Sequence, residues 1–220
     1  KDRLGYGGGY YDRTISFLEK NSNILKFGVA FDEQEIKKVP TYEIWQENGF
    51  NFNTNSNNYL KMKILVCGDI VGRSGREVIE NFLPELVSEN DINFVIVNGE
   101  NSASGFGITK KICEQLFDLG VDVITSGNHI WDQKEIIFFI ENEKRLIRPC
   151  NYPKQTPGRG FGVYKTKDGN LVSVINVMCR LFMDNIDDPF RKLDDVIEQI
   201  KIENGEHTII VDVHGESTSE

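Results

Sequence analysis

The chain has 220 residues, of which 39% are apolar and 27% charged, and its formal net charge is −9. This balance is typical of a soluble globular protein and excludes a fibrous or wholly disordered chain. No apolar run approaches the roughly 18 residues that cross a bilayer, so we expect no association with a membrane. The four cysteines are scattered without a C-x-x-C pair, which argues against a zinc knuckle and favours a reducing, cytoplasmic location.

The negative charge lies entirely in one part of the chain. Residues 1–61 contain eight basic and eight acidic residues, so residues 62–220 carry the whole −9. An acidic domain repels the phosphate backbone of nucleic acids, and we therefore expect no stable binding to DNA or RNA. If this domain binds a phosphate ester, bound metal ions would have to supply the positive charge.

Two parts of the chain are separated by an Asn-rich stretch, in which six of the eleven residues 48–58 are Asn. This composition predicts a linker over residues 48–61. The N-terminal part contains a Gly-rich loop, a short helix through Leu18 and a strand over residues 26–31. So few elements cannot bury much of a core, and we interpret residues 1–47 as a small α/β remnant of a domain. Residues 62–220 form the main domain.

Strands alternate with helices from Met62 onward. The predicted strands are 63–66, 93–97, 121–125 and 208–213, the predicted helices are 75–88, 109–119, 132–142 and 188–201, and a hairpin joins 162–165 to 171–177. We expect Thr109 to cap its helix and Pro84 to kink or break the first one. The alternation predicts a layered α/β fold with a central, mostly parallel sheet or sheets flanked by helices.

Polar side chains follow four of these strands, and we expect all four strands to deliver them to one edge of the sheet, where ligands bind in open α/β folds. They are Asp69, Glu100 with Asn101, Asn128 with His129, and His214. Carboxylates, amides and imidazole together suit a dinuclear metal site. A single Asp or Asn in such a place is equally well explained as a helix cap, so the prediction depends on the joint pattern. His207 lies in a turn, and we interpret it as structural.

Four motifs, in this order, resemble the YmdB-type metallophosphoesterases of bacteria. They are Gly-Asp-Ile-Val-Gly (68–72), Asn-Gly-Glu-Asn (98–101), Gly-Asn-His-Ile-Trp-Asp (127–132) and Val-His-Gly-Glu-Ser-Thr-Ser-Glu (213–220). That family belongs to the calcineurin-like superfamily and hydrolyses phosphodiesters, including 2′,3′-cyclic nucleotides. The resemblance covers all of residues 62–220 and implies the metallophosphoesterase fold.

The resemblance also implies roles for individual residues. His129 corresponds to the proton donor for the leaving 2′-alkoxide, and Glu100 corresponds to the bridging ligand of two divalent metal ions that generate the attacking hydroxide. We expect iron or manganese, because imidazole ligands favour softer ions than magnesium. The full set of metal ligands implied by the family is Asp69, Glu100, Asn101, Asn128 and His214.

One part of the family pattern is not found. The family supplies two further histidines in a Gly-x-His-x-His motif, which would lie beyond Glu220. We therefore expect the C-terminus of the fold to be incomplete and the 220-residue chain to be poor in metal and weakly active or inactive, although the gene product would be a phosphodiesterase for small phosphodiesters or cyclic nucleotides. A non-catalytic regulatory domain that binds metal or phosphate is an open alternative, and so is a homo-oligomer whose partner supplies the missing ligands.

The N-terminal part resembles a second family. The Gly-rich loop over residues 3–13, followed by Gly-Val-Ala-Phe-Asp (28–32), is similar to the C-terminal portion of 5-formyltetrahydrofolate cyclo-ligase. The resemblance implies that the loop cradles ATP phosphates and that Asp12 helps to hold Mg²⁺, which gives an alternative function. The phosphate-binding residues would be Gly5, Gly7, Gly8 and Gly9. Because the folate-binding half is absent, we hypothesise that the tail of one protein is joined to the head of the next.

Overall fold

The computed structural model of the chain describes residues 25–27 and 62–217. The predicted phosphate loop, with Gly5, Gly7, Gly8, Gly9 and Asp12, lies outside these residues, and so does the predicted linker. An N-terminal strand was predicted over residues 26–31, and the described part of this region is a strand over residues 25–27. The division into 1–47, 48–61 and 62–220 stays a prediction.

Two sheets form the centre of the domain. The first contains β1 (Leu25–Phe27), β2 (Ile64–Cys67), β3 (Phe94–Asn98) and β4 (Val123–Thr125), which are parallel and lie in that order. The second contains β5 (Phe161–Lys165), β6 (Leu171–Met178) and β7 (Thr208–His214), with β5 antiparallel and β7 parallel to β6. The expectation that four strands deliver their polar ends to the edge of one sheet was therefore wrong, because β7 belongs to the second sheet.

Within the described residues, four α-helices accompany the strands. They are α1 (Gly72–Glu89), α2 (Lys110–Asp118), α3 (Ile136–Asn142) and α4 (Pro189–Asn204). Thr109 caps α2 as predicted, since its side chain accepts a hydrogen bond from the backbone N–H of Ile112. Asp188 caps α4 in the same way and is followed by proline at the first helical position. Among the described residues, no helix combines the length and apolar character needed to span a bilayer.

The period-two alternation of the central strands builds the layers. In β3, Val95 and Val97 pack with the residues of α1 and α2, whereas Phe94 and Ile96 face the second sheet. In β6, Val172 and Val174 face the first sheet. Ile175 and Val177 point to the opposite face of β6 and pack against α4. The result is a helix–sheet–sheet–helix sandwich in which both sheets are covered on both faces, as the predicted layered α/β fold requires.

Two predicted helices differ from the structure. Pro84 does not break α1, which runs on to Glu89, because Pro84 lies on the exposed face where water can solvate the carbonyl that loses its partner. The helix predicted over residues 132–142 is found as α3, but it begins only at Ile136, and a short 3₁₀ turn at Asn128–Trp131 precedes it. Asp132 does not cap α3, because its carboxylate contacts His129 instead.

Candidate active site and metal centre

The five predicted metal ligands lie together at the C-terminal ends of strands from both sheets. Asp69 Oδ2 accepts a 2.6 Å hydrogen bond from Asn101 Nδ2, which also lies 3.2 Å from Glu100 Oε1. The same oxygen of Glu100 is 3.1 Å from His214 Nε2, and His214 Nε2 is 3.0 Å from Asn128 Oδ1. Hydrogen bonds thus connect all five side chains into one cluster, hereafter the donor cluster.

Glu100 is at the centre of the donor cluster, with only 1% of its side chain exposed. Burial, and secondly the negative charge of Asp69, raise the pKa of Glu100 to about 7. The backbone N–H of His129 and the side chain of Asn101 partly oppose this rise by hydrogen bonding to the carboxylate. A buried carboxylate facing a second carboxylate is electrostatically unfavourable, and a bound cation would remove that penalty.

His214 enters the donor cluster from the second sheet. It ends β7 opposite Met178 of β6, and its side chain is 15% exposed. Burial lowers the pKa of His214 despite the neighbouring Asp212 and Asp69, which act in the opposite direction. The Nε2 atom of His214 faces the side-chain oxygens of Glu100 and Asn128, which come from two other segments of the chain. Neutral imidazole is the form of histidine that binds metal.

Gly127 leaves the space in which these donors meet. A Cβ atom at this position would lie 2.6 Å from Nε2 of His214 and would also collide with a carboxylate oxygen of Glu100. Any side chain at residue 127 would therefore displace at least one of the two donors. Glycine is required here for close approach and not for backbone conformation, since its φ of −158° is extended.

The donor set fits a divalent cation. It combines two carboxylates, two amides and one imidazole, a mixture that suits manganese and iron. Asn101 Oδ1 is buried and has no hydrogen-bond partner within the described residues, which is costly unless another group, such as a cation, contacts it. Among the described residues, no three Asp, Glu, His or Cys side chains are grouped closely enough to hold a metal ion by themselves. The set proposed here, which includes Asp69, Glu100 and His214, therefore depends on the amide oxygens of Asn101 and Asn128 as well.

His129 lies beside the donor cluster and not within it. Its Nδ1 is 2.7 Å from Asp132 Oδ2, and 31% of its side chain is exposed. Because a carboxylate can only accept, Nδ1 carries a proton, and Nε2 is the nitrogen left for proton exchange. The 3₁₀ turn that contains His129 and ends at Asp132 sets this pairing. Asp132 was part of a recognised motif in the sequence, but the motif did not indicate that it orients His129.

Three polar residues behind the donor cluster were not predicted. Asn98 Nδ2 lies 3.3 Å from Asp212 Oδ2 in the other sheet, while Asn98 Oδ1 accepts a 3.2 Å bond from the backbone N–H of Glu100. Asn176 accepts a bond from the backbone N–H of Ser126. Burial raises the pKa of Asp212, and hydrogen bonds to its carboxylate oppose the rise. These side chains tie the ends of the two sheets together and so fix the relative positions of Glu100 and His214.

The fold of the chain matches solved structures, one of which is described as a phosphatase. A crystal structure described as a novel phosphatase from Mycoplasma pneumoniae matches with a TM-score of 0.61 and 32% identity, over 72% of this chain and 57% of that one. A hypothetical protein from Thermus thermophilus matches with a TM-score of 0.64 and 38% identity, over 72% of this chain and 60% of that one.

The family follows from the sequence comparison. Residues 65–220 match the model of the YmdB-like protein family, and the chain belongs to that family. It is 44% identical to the 2′,3′-cyclic-nucleotide 2′-phosphodiesterase of Bacillus subtilis over 161 residues, which is 72% of this chain and 59% of the relative. The chain thus spans less than two thirds of the length of that relative. Residues 2–48 match a second family model, that of 5-formyltetrahydrofolate cyclo-ligase. Both predicted resemblances are therefore confirmed.

Proposed function

We propose that residues 62–220 are the catalytic part of a phosphodiesterase that hydrolyses small phosphodiesters such as 2′,3′-cyclic nucleotides with the help of two divalent metal ions. The observation that carries this proposal is the donor cluster, in which five polar side chains from separate segments converge around buried Glu100. The activity named for the Bacillus subtilis relative supports the same chemistry. An acidic chain also needs bound cations to hold a phosphate ester.

The proposed ligands are Asp69, Glu100, Asn101, Asn128 and His214, with Glu100 shared between the two ions. Bound there, manganese or iron ions would polarise the phosphoryl oxygens and lower the pKa of a water molecule for attack. Asn98 and Asp212 hold the two sheets in register behind these ligands. Gly127 keeps the space between Glu100 and His214 free of side-chain atoms.

His129 is the proposed proton donor for the leaving alkoxide. It follows a proposed ligand directly in the chain, and its backbone N–H also contacts Glu100 Oε2 at 3.4 Å. Asp132 holds Nδ1 and so orients Nε2 as the donating nitrogen. Protonation of the alkoxide by a positioned imidazole contributes roughly 10²- to 10⁴-fold to the rate of such reactions.

The proposal predicts that His129→Ala lowers turnover of 2′,3′-cyclic AMP by roughly 10²- to 10⁴-fold relative to the weak turnover expected of the 220-residue parent, with the metal content unchanged. Metal per chain is measured by elemental analysis after anaerobic reconstitution with manganese or iron, and turnover by chromatography of the product. His207→Ala is the matched control, because His207 directly precedes β7 and, among the described residues, its ring nitrogens contact Ser173 and a backbone carbonyl rather than the donor cluster.

The metal content and the turnover rate test the metal site, the hydrolysis and the proton donor separately. Two ions per chain with turnover that depends on His129 support it in full. Bound metal without hydrolysis of any small phosphodiester would favour a non-catalytic metal-binding domain. A His129→Ala variant as fast as its parent would show that the proton comes from another group.

A further inference from the structure

An exposed aromatic ring lies at the entrance to the proposed active site. Phe106 has 59% of its surface exposed, and its ring centroid is 5.1 Å from that of His129. The two ring planes make an angle of 71°, so the imidazole does not stack face to face on the phenyl ring. Much of the ring therefore remains open to solvent directly beside the proposed proton donor.

The backbone holds Phe106 in a closed loop over residues 102–107. The Phe106 N–H donates to Ala103 O at 3.2 Å, and the Ala103 N–H donates to Gly107 O at 2.8 Å. Gln133 Nε2 donates to Phe106 O at 2.9 Å, which ties the loop to the segment that follows His129. Gly105 and Gly107 adopt φ angles of 93° and 77°, which other residues rarely adopt. The backbone that carries the ring is thus positioned before any ligand binds.

The charges around the site limit how a substrate is recognised. Asp69 and Glu100 lie in the donor cluster and Asp132 contacts His129 beside it, so acidic groups predominate here. Metal ions can offset these charges for the phosphate, but they do not recognise the remainder of the substrate. An aromatic platform recognises a planar base through its π face without any charge, and it does so for every base.

We propose that Phe106 is the platform on which the base of the substrate stacks, so that the enzyme prefers nucleoside phosphates to phosphodiesters that lack a base. This inference rests on the proposed function, since it places the phosphate in the donor cluster. The fixed loop reduces the entropy lost on binding, because the backbone of Phe106 is already ordered and only its side-chain torsions remain to be restricted. The 59% exposure of Phe106 means that its removal leaves no large cavity.

Calorimetric titration of the manganese-reconstituted full chain with 3′-AMP and with inorganic phosphate tests the inference. We expect Phe106→Ala to weaken 3′-AMP binding by roughly 5- to 150-fold, the range for loss of one base–aromatic stack, and to leave phosphate binding unchanged. Phe106→Trp should retain the affinity for 3′-AMP, and Phe106→Leu should retain only part of it. Phe82→Ala is the control, since Phe82 on α1 is 55% exposed and remote from the cluster.

Two results would overturn the inference while leaving the proposed function intact. One is an unchanged affinity of Phe106→Ala for 3′-AMP. The other is an equal loss of affinity for both ligands, which would mean that Phe106 acts on the phosphate position through His129. A parent chain that binds neither ligand would contradict the phosphate site itself, and the inference together with it.

Discussion

Two histidines flank strand β7, one directly before its first residue and one as its last residue, and their surroundings differ in charge. His207, just before the strand, has both ring nitrogens occupied by neutral partners: Nε2 lies 2.6 Å from Ser173 Oγ, and Nδ1 lies 2.9 Å from Gly205 O. His214, at the other end, has its Nε2 between a buried carboxylate and an amide oxygen. One histidine thus stabilises the turn before β7, whereas the other belongs to the donor cluster at the end of the strand. What distinguishes them is the charge and the unmet bonding capacity of their neighbours.

The largest expected effect compares the two histidines directly. We expect His214→Ala to weaken manganese binding by more than about 100-fold, because loss of a ligand should exceed the roughly 10- to 100-fold cost of losing an outer-shell partner. His207→Ala should bind manganese as the parent does. Titration calorimetry on both variants measures the difference. Equal affinities in the two variants would remove His214 from the proposed ligand set.

The next prediction concerns the charge that makes the His214 end different. Glu100 has a folded-state pKa of about 7 against an ordinary value of 4.5. The folded state thus favours the protonated carboxyl of Glu100. The resulting contribution to the unfolding free energy is fully present below about pH 4.5 and is lost as the pH rises through about 7. We expect Glu100→Gln to raise the unfolding free energy of the metal-free protein at pH 8 by something of the order of 2 kcal/mol.

Urea unfolding with a chelator present, at pH 8 and at pH 4.5, gives the measurement for Glu100→Gln. The gain should shrink toward zero at pH 4.5, where the parent carboxyl is protonated. With manganese present the order should reverse at pH 8, since the variant loses a proposed ligand. A stability difference that is the same at both pH values would show that charge burial is not its cause.

The smallest expected effect is at the other end of the strand. His207→Ala removes the partner of the fully buried Ser173 hydroxyl and should lower the unfolding free energy by about 1 kcal/mol. This loss is at the low end of the usual cost of an unsatisfied buried hydroxyl, because removal of the ring lets water reach the hydroxyl of Ser173. Thermal unfolding measures the loss. The double variant His207→Ala, Ser173→Ala should recover part of it, whereas a further loss would contradict the assigned hydrogen bond.

Much of the fold could be predicted from local patterns. The strand and helix positions follow from apolar runs and periodicity, and Thr109 was identified as a cap from its place before an amphipathic segment. The assignment of β7 to a second sheet could not be predicted, because an alternating strand does not specify its partner. The 3₁₀ turn at Asn128–Trp131 was missed because long-range contacts, of His129 with Glu100 and of Gln133 with Phe106, override the helical pattern there.

The same division holds for the candidate site. Residues directly at strand ends, such as Glu100 and His214, could be predicted because polar groups after apolar strands need partners. Asn98 and Asp212 lie within strands, and the bond between them spans 114 residues, so no local pattern indicates it. Phe106 has no sequence signal beyond its flanking glycines, since an aromatic residue in a loop is more often packed than exposed.

The distance along the chain between the donors has a consequence for folding. His214 meets Asn128 across 86 residues and Asp212 meets Asn98 across 114, so these contacts close among the longest loops in the described structure. Long-range parallel pairing is slow to form. The other four members of the donor cluster can therefore gather around β2 to β4 before β7 docks beside β6, and His214 arrives last. If the cluster binds metal as proposed, its assembly marks the end of folding, and a kinetic trace of manganese uptake during refolding should lag behind the recovery of helical signal.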